Sequence, residues 1–437
     1  MADSIVRGAD SRPKPAPIAL TCIECGQRYP ADQQRYTCDC GSLLDVTHDL
    51  EGVRETATRE LFDTRLGARS LPHSSGVWRF AELVYPGAER RAISGPEGNT
   101  NLYRSERLAK WTGVDSLLVK HEGENPTGSF KDRGMTVGVT HAVGIGASVV
   151  ACASTGNTSA SRASYAARGG LRAVVFIPHG AVALGKLSQS IAYGALTVQI
   201  RGDFDAAMRL VRELTRDRGI YLLNSLNPFR LEGQKTIVLE ALQQMFWEAP
   251  DWIVVPGGNL GNTSAFGKAL HEARALGLIS RMPRLAVIQA AGANPLYLAF
   301  RNGFREYRPV EAKTVATAIK IGDPVSYKKA RRSLEWTDGV VEQVEDGEIL
   351  DAKAQIDAAG IGCEPASAAS LAGLRKLVAG GTIRRGETVV AVLTGHLLKD
   401  PDNTIGYHLG STAAAPGAYA NAPVVIEPRL EEVLKIL

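Results

Sequence analysis

From about residue 100 onward the chain repeats one unit: an apolar run of strand length, a turn rich in Gly, Asn and Ser, and an Ala-rich helical stretch. Runs of this kind lie at Ser116–His121, Ser148–Ala153, Ala173–Ile177, Leu196–Ile200, Ile220–Asn224, Trp252–Val255, Leu285–Gln289 and Thr388–Leu393. Several are apolar at successive positions instead of alternating, which suits parallel strands covered by helices on both faces. The pattern predicts an open α/β fold, and such sheets bind ligands beyond the carboxyl ends of their strands. The turns that follow the strands are therefore where function is to be sought.

Composition sets the outer bounds. The 437 residues are 44% hydrophobic and 22% charged, the balance of an ordinary globular protein. With 50 basic and 46 acidic side chains the formal charge is +4, too even for the basic stripe that nucleic acid requires. No stretch reaches the roughly 18 uninterrupted apolar residues of a membrane span, and the first residues lack the apolar core of a secretory signal. The cytoplasm is the expected location. The expected organisation is a disordered tail over 1–17, a small cysteine unit over 18–50, and a catalytic region over 51–437 that opens with a polar helical stretch to about 95. A smaller α/β subdomain at about 135–230 is expected inside the larger one.

The turn after Ser116–His121 reads Asn125-Pro-Thr-Gly-Ser-Phe-Lys131-Asp-Arg-Gly134. Ser129 is a good N-cap and helix is expected from about Phe130, which puts Lys131 in a first helical turn. The positive end of the helix dipole disfavours an ammonium there, and a neutral amine is what Schiff-base chemistry needs. An arbitrary lysine in such a place is a solvated charge; the flanking string is what singles this one out. After Ser148–Ala153 come Ser154-Thr155-Gly156-Asn157-Thr158, hydroxyls and an amide at a helix N-terminus, suited to a carboxylate or phosphate and equally to capping. After Trp252–Val255 come Gly257-Gly258-Asn259-Leu260-Gly261-Asn262-Thr263, where glycines let successive amides turn inward around an anion. Asn224-Ser225-Leu-Asn-Pro-Phe-Arg230 adds a guanidinium, which grips phosphate oxygens bidentately, and Lys186 offers a second positive charge. The run Thr394-Gly-His396-Leu397-Leu-Lys399-Asp-Pro401 closes the set, with His396 read as packing and not as a base.

These strings, in this order over roughly residues 95 to 410, resemble the threonine synthases, pyridoxal-phosphate (PLP) enzymes of fold type II; Thr317–Pro324 and Gly362-Cys-Glu364-Pro365-Ala-Ser-Ala are similar to the same family. The resemblance implies two doubly wound α/β domains and a Schiff base between Lys131 and PLP. It implies that Asn157 faces the cofactor's 3′-oxygen, that Gly258, Asn259, Leu260, Gly261, Asn262 and Thr263 hold its phosphate, and that Thr394 faces the ring nitrogen. Ser154, Thr155 and Thr158 then take the substrate's carboxylate, and Ser225, Arg230 and Asn262, with Lys186, its phosphate. Leu397 stands where the family has Gly. The implied reaction converts O-phospho-L-homoserine and water to L-threonine and phosphate, in a homodimer. Two rivals share these strings: another fold-type-II enzyme, such as a threonine dehydratase or a phosphoserine-using cysteate synthase, and a PLP-binding regulator without turnover.

Cys22-x-x-Cys25, twelve residues, then Cys38-x-Cys40 resembles the zinc-ribbon-like head of some threonine synthases. The second pair is one residue short of the usual C-x₂-C. The cluster is read either as a structural zinc site or as reduced thiols packing a small β unit.

Overall fold

The computed structural model describes residues 18–153, 156–178, 187–201, 213, 220–411 and 417–437. Its strands are β1 (Ile18–Cys22), β2 (Arg28–Pro30), β3 (Leu44–His48), β4 (Leu102–Arg104), β5 (Ser116–His121), β6 (Val149–Ala153), β7 (Arg172–Pro178), β8 (Leu196–Ile200), β9 (Tyr221–Leu222), β10 (Trp252–Pro256), β11 (Arg284–Ala290), β12 (Val340–Val344) and β13 (Thr388–Leu393). Among the described residues they form three sheets, ordered β2-β1-β3, β12-β11-β10-β13-β5-β4 and β8-β7-β6-β9. The first is antiparallel, the third parallel, and the six-stranded sheet is parallel except for β4. The eight apolar runs read from the sequence all contain strands, with Ile220–Asn224 shortened to the two residues of β9. β4 and β12 add edges to the six-stranded sheet.

The core explains why successive positions are apolar. In β10, Ile253 and Val255 join one buried cluster with Val238, Leu242 and Phe266, on the side of the helices Pro228–Gln244 and Gly261–Ala275. Trp252 and Val254 join another with Ala369, Leu371 and Leu374 of the helix Pro365–Ala379. Alternate side chains point to opposite faces of a strand, so a sheet roofed twice needs apolar residues at both parities.

Two glycines bring the helices that carry site residues into contact. A Cβ on Gly233 would lie 1.7 Å from the Arg133 carbonyl oxygen, and one on Gly134 would lie 2.8 Å from that of Arg230. The helix Lys131–Gly144 therefore crosses Pro228–Gln244 almost backbone to backbone, close enough for Lys131 and Arg230 to interact electrostatically.

The stretch 51–95 is less helical than expected. It contains Arg59–Thr64, Ala81–Val84 and single 3-10 turns, and it buries Phe62, Trp78, Phe80 and Leu83 in the large core. The cysteine unit shares that core as well, through Leu20, Leu44 and Val46. Its β3 is tied to the larger body by His48–Glu232 at 2.7 Å and Asp45–Lys329 at 2.8 Å. No described helix is long and apolar enough to cross a membrane.

Candidate active site

The loop after β5 is held rigidly from beneath. Thr127 donates to the buried carboxylate of Asp132 through its backbone N–H at 2.7 Å and its hydroxyl at 2.6 Å. The next residue, Arg133, meets Glu122 at 2.7 Å and Glu240 at 2.8 Å, all three buried. The helix starts at Lys131, one residue later than expected, and Ser129 does not cap it: its buried hydroxyl has no partner among the described residues. Ser129 pairs instead with Gly395 in an isolated bridge, where Phe130 N–H donates to Thr394 O at 3.0 Å and His396 N–H to Gly128 O at 2.9 Å. This bridge fastens the loop of Thr394 beside Lys131.

Burial and the neighbouring charge of Arg230 push the half-buried Lys131 down to about 7, against the pull of Glu364. The sequence pointed to a lowered value through the helix terminus; in the structure the lowering comes from burial first and Arg230 second. The Nζ stacks 4.0 Å from the centroid of the Phe130 ring.

Lys131 opens onto a cavity of about 1030 Å³. Its wall includes Asn157, Thr158, Ser225, Arg230, Gly258, Asn259, Leu260, Gly261, Asn262 and Thr394, so these sequence-selected residues converge. Thr263 is buried behind the wall. Ser154, Thr155 and Lys186 lie outside the described residues.

The Gly-rich turn makes the floor. Leu260 has φ 62°, a left-handed conformation that non-glycine residues adopt at a cost and that clusters at ligand sites. It begins the helix Gly261–Ala275, whose first amides have no partners within the helix and favour an anion. A Cβ on Gly258 would lie 3.1 Å from Ile319 Cα, so a side chain there would crowd the turn. Asn259 is committed to structure: it donates to Ser225 Oγ at 2.7 Å and accepts Val325 N–H at 2.7 Å. The buried Asn262 Oδ1 and Thr263 Oγ1 have no partners among the described residues. A glycine turn at a helix start, whose first amides favour an anion, and a lysine amine sharing one cavity fit pyridoxal phosphate, which brings both a phosphate and an aldehyde.

On the opposite wall, Asn157 Nδ2 donates to Glu364 Oε2 at 2.9 Å. Ser367 Oγ accepts the N–H groups of Thr394 and Gly395 at 2.8 and 2.9 Å and lies 3.0 Å from Thr394 Oγ1. With both lone-pair positions so occupied, the Ser367 proton goes to Thr394, leaving the Thr394 proton for another acceptor. His396, read from the sequence as packing, lines the cavity, and its Nδ1 accepts Leu398 N–H at 3.1 Å. Leu397 packs against Gly362, whose added Cβ would sit 3.2 Å from it. Sequence reasoning gave no role to Glu364, Gln189 or Lys399, all of which line the cavity. Lys399 donates to Gln189 Oε1, and Gln189 in turn donates to Thr127 O at 3.2 Å. Glu364 and Lys399 lay inside the quoted strings; Gln189 carried no signal.

Far from this cavity, the Sγ atoms of Cys22, Cys25, Cys38 and Cys40 all lie within 4.8 Å of one another, with Cys22–Cys40 at 3.6 Å and Cys25–Cys38 at 3.5 Å. Sulfurs on a tetrahedral zinc, at bonds of about 2.3 Å, stand about 3.8 Å apart. The amides of Glu24 and Cys25 both point at Cys22 Sγ from 3.5 Å, a geometry that favours thiolate. The short second pair has not prevented convergence, and the four thiols fit a zinc ion.

The family model for pyridoxal-phosphate dependent enzymes matches residues 93–395. The chain is 48% identical over 386 residues to the threonine synthase of Methanocaldococcus jannaschii, covering 88% of this chain and 93% of the relative. It is 49% identical over 389 residues to that of Methanosarcina acetivorans, with the same coverage of 88% and 93%, and 42% identical over 428 residues to the chloroplastic threonine synthase 2 of Arabidopsis thaliana, covering 94% and 82%. The solved structure of Escherichia coli threonine synthase superposes with a TM-score of 0.68 over 96% of this chain and 99% of that one; at 19% identity it speaks for the fold alone. With cavity, lysine and anion cup in place, this likeness has one reading: the chain belongs to the threonine synthase family of pyridoxal-phosphate-dependent enzymes.

Proposed function

We propose that this chain converts O-phospho-L-homoserine and water to L-threonine and phosphate. The observation that carries the reading is the meeting, in one cavity, of a lysine lowered to about 7 with two adjoining features suited to an anion. One is the Gly258–Thr263 cup, assigned to the cofactor's phosphate. The other is Ser225 with Arg230, assigned with Asn262 to the substrate's phosphate.

When bound, pyridoxal phosphate supplies the electron sink that makes the substrate's Cα and Cβ protons removable. Lys131 Nζ would hold the cofactor through its aldehyde, and the same amine, when not so engaged, would be placed to take the Cα proton and to move the Cβ proton. An amine near 7 can both accept and return a proton at neutral pH. Arg230 has two effects from one position: its charge adds to burial in lowering Lys131, and its guanidinium steadies the phosphate as it leaves Cγ. Losing one such donor costs about 3 kcal/mol of barrier. Thr394 would offer the ring nitrogen a hydroxyl instead of a carboxylate, which would restrain the electron sink. Ser154, Thr155 and Thr158 are assigned to the substrate carboxylate, Lys186 to a supporting charge, and Cys22, Cys25, Cys38 and Cys40 to a structural zinc. The working form is a cytoplasmic homodimer, which light scattering on the purified protein tests.

The deciding experiment measures phosphate release from O-phosphohomoserine and from O-phosphoserine, and 2-oxo acid and ammonia release from threonine. Turnover of the first above the other two is expected; a preference for either rival moves the chain to a dehydratase or cysteate synthase reaction.

A further inference from the structure

Glu364 sits in the cavity wall without a part in the scheme above. Its carboxylate is 3% exposed and stands at the start of the helix Pro365–Ala379. Its backbone is pinned to the Thr394 loop, since Glu364 N–H donates to Gly395 O at 3.1 Å. A Cβ on Gly395 would lie 2.4 Å from Glu364 Cδ, so the side chain is pressed onto that loop with little room to turn. From there Oε2 accepts from Asn157 Nδ2 at 2.9 Å, while Oε1 lies 3.5 Å from Thr394 Oγ1. One carboxylate thus reaches both residues assigned to the two ends of the cofactor ring.

The chemistry of the pair is directional. Burial raises the pKa of this carboxyl, against the lowering pull of the Asn157 N–H, Lys399 and Lys131; in its ionised form it only accepts hydrogen bonds, and Asn157 turns its NH₂ group toward it. That amide carries a second N–H, which stays available beside the first. An asparagine without such an anchor turns over readily, and the reversed amide would offer its carbonyl where a donor is wanted. Facing an anionic ring oxygen, carbonyl and N–H differ in sign of interaction.

We propose that Glu364 is a positioning residue that fixes the Asn157 amide in its donating orientation toward the cofactor's 3′-oxygen. The proposal rests on the pyridoxal-phosphate reading of the cavity. Burial of the carboxylate shields the contact from competing water, which strengthens it.

The test compares wild type, Glu364→Ala, Glu364→Gln, Asn157→Ala and the Glu364→Ala/Asn157→Ala double variant, each loaded with pyridoxal phosphate. Absorption of the bound cofactor and its dissociation constant are measured without substrate. Glu364→Ala should move the long-wavelength band toward shorter wavelengths, in the direction expected of Asn157→Ala, and weaken cofactor binding by on the order of 10-fold. Glu364→Gln, whose amide can face either way, should give a smaller shift in the same direction. Because Glu364 acts through Asn157, the double variant should shift no further than Asn157→Ala alone. Unmoved bands in both Glu364 variants, or a double variant whose shift is the sum of the two, would overturn the proposal. Should Glu364→Ala not fold by near-ultraviolet circular dichroism, Glu364→Gln decides by itself, an unshifted band counting against. Borohydride labelling of wild-type Lys131 separates the layers: no label sinks the cofactor reading, whereas a label with unmoved variant bands sinks only the role of Glu364.

Discussion

The hydroxyl oxygen of Tyr36 accepts the backbone N–H of Leu222 at 2.7 Å, fastening the loop between the two cysteine pairs to the outer edge of β9. β9 pairs with β6 on one side only, and an edge strand leaves backbone groups that something must satisfy. Gln34 adds a bond to Ile220 O at 2.9 Å, and His141 bridges Ala31 O at 2.8 Å to the Tyr221 hydroxyl at 2.6 Å. Two residues beyond this clamped edge come Asn224 and Ser225 of the cavity wall. Tyr36→Phe removes the acceptor while keeping the ring, so the cost should be that of one orphaned donor, about 1–3 kcal/mol. Hydrogen exchange at Leu222 should quicken, and KM for the phosphorylated substrate should rise more than kcat falls. Unchanged exchange at Leu222 would show that the contact does not hold the edge.

The cysteine cluster should act on the same edge from a distance. Zinc analysis of the purified protein is expected to give one ion per chain, and Cys38→Ser should abolish it. Chelation should lower the melting temperature and raise exchange over 220–222, because Gln34 and Tyr36 lie between Cys25 and Cys38. The cofactor band should survive, since no cysteine of the cluster lines the cavity. Zinc-free protein with the same exchange pattern would leave the thiols as packing alone.

Lys131 sets a pH dependence of defined sign. In the folded, cofactor-free protein its amine is lowered from 10.5 to about 7 by burial and Arg230. The folded state therefore binds fewer protons than the unfolded chain between these values, and this group's contribution to stability falls as pH drops from 10.5 toward 7. The neutral amine is the form that captures an aldehyde, so the rate of pyridoxal-phosphate uptake should climb through a midpoint near 7. Removing the like charge with Arg230→Met should raise that midpoint and cost substrate affinity together. Lys131→Ala should abolish borohydride-fixed label; a label retained on another lysine would displace Lys131 from its role.

The sheet was legible because double burial leaves a simple trace: consecutive apolar residues at Trp252–Val255 or Val389–Leu393 have few other homes. The site was legible where backbone geometry constrains residue type, as in the Gly258–Gly261 turn, and where strings such as Asn125–Gly134 resemble a known family. Ser129 misled, since a serine before a helix reads as a cap, whereas the bridge to Gly395 depends on a loop more than 200 residues away. Glu364 and Gln189 were missed for the same reason. A carboxylate or an amide has no local signature when its partner, Asn157 or Lys399, comes from a distant part of the chain.

Glu240 is where the support of the lysine loop can be broken without touching the cavity. Its carboxylate is fully buried and accepts from Arg133 at 2.8 Å, Lys120 at 2.7 Å and Arg79 at 3.2 Å, and from the backbone N–H groups of Asn99 and Thr100 at 2.8 and 3.0 Å. Burial alone would raise its pKa; the surrounding cations, Arg133 foremost, outweigh burial and hold it well below the usual carboxylate range. A depressed carboxylate stabilises the fold above its unfolded value of 4.5 and loses that contribution progressively as pH falls below it. Glu240→Gln leaves three buried cations short of a negative partner, and breaking such a network costs about 3–5 kcal/mol. Denaturant unfolding at neutral pH should show a loss of that size, and the stability gap between variant and wild type should narrow below pH 4.5, where the carboxylate of the unfolded chain takes up a proton and the native one does not. Because Arg133 follows Lys131 by two residues, the folded fraction of the variant should also capture pyridoxal phosphate more slowly. A neutral-pH loss under about 1 kcal/mol would mean that the remaining Glu122 contact suffices to hold Arg133, and that the loop does not depend on Glu240.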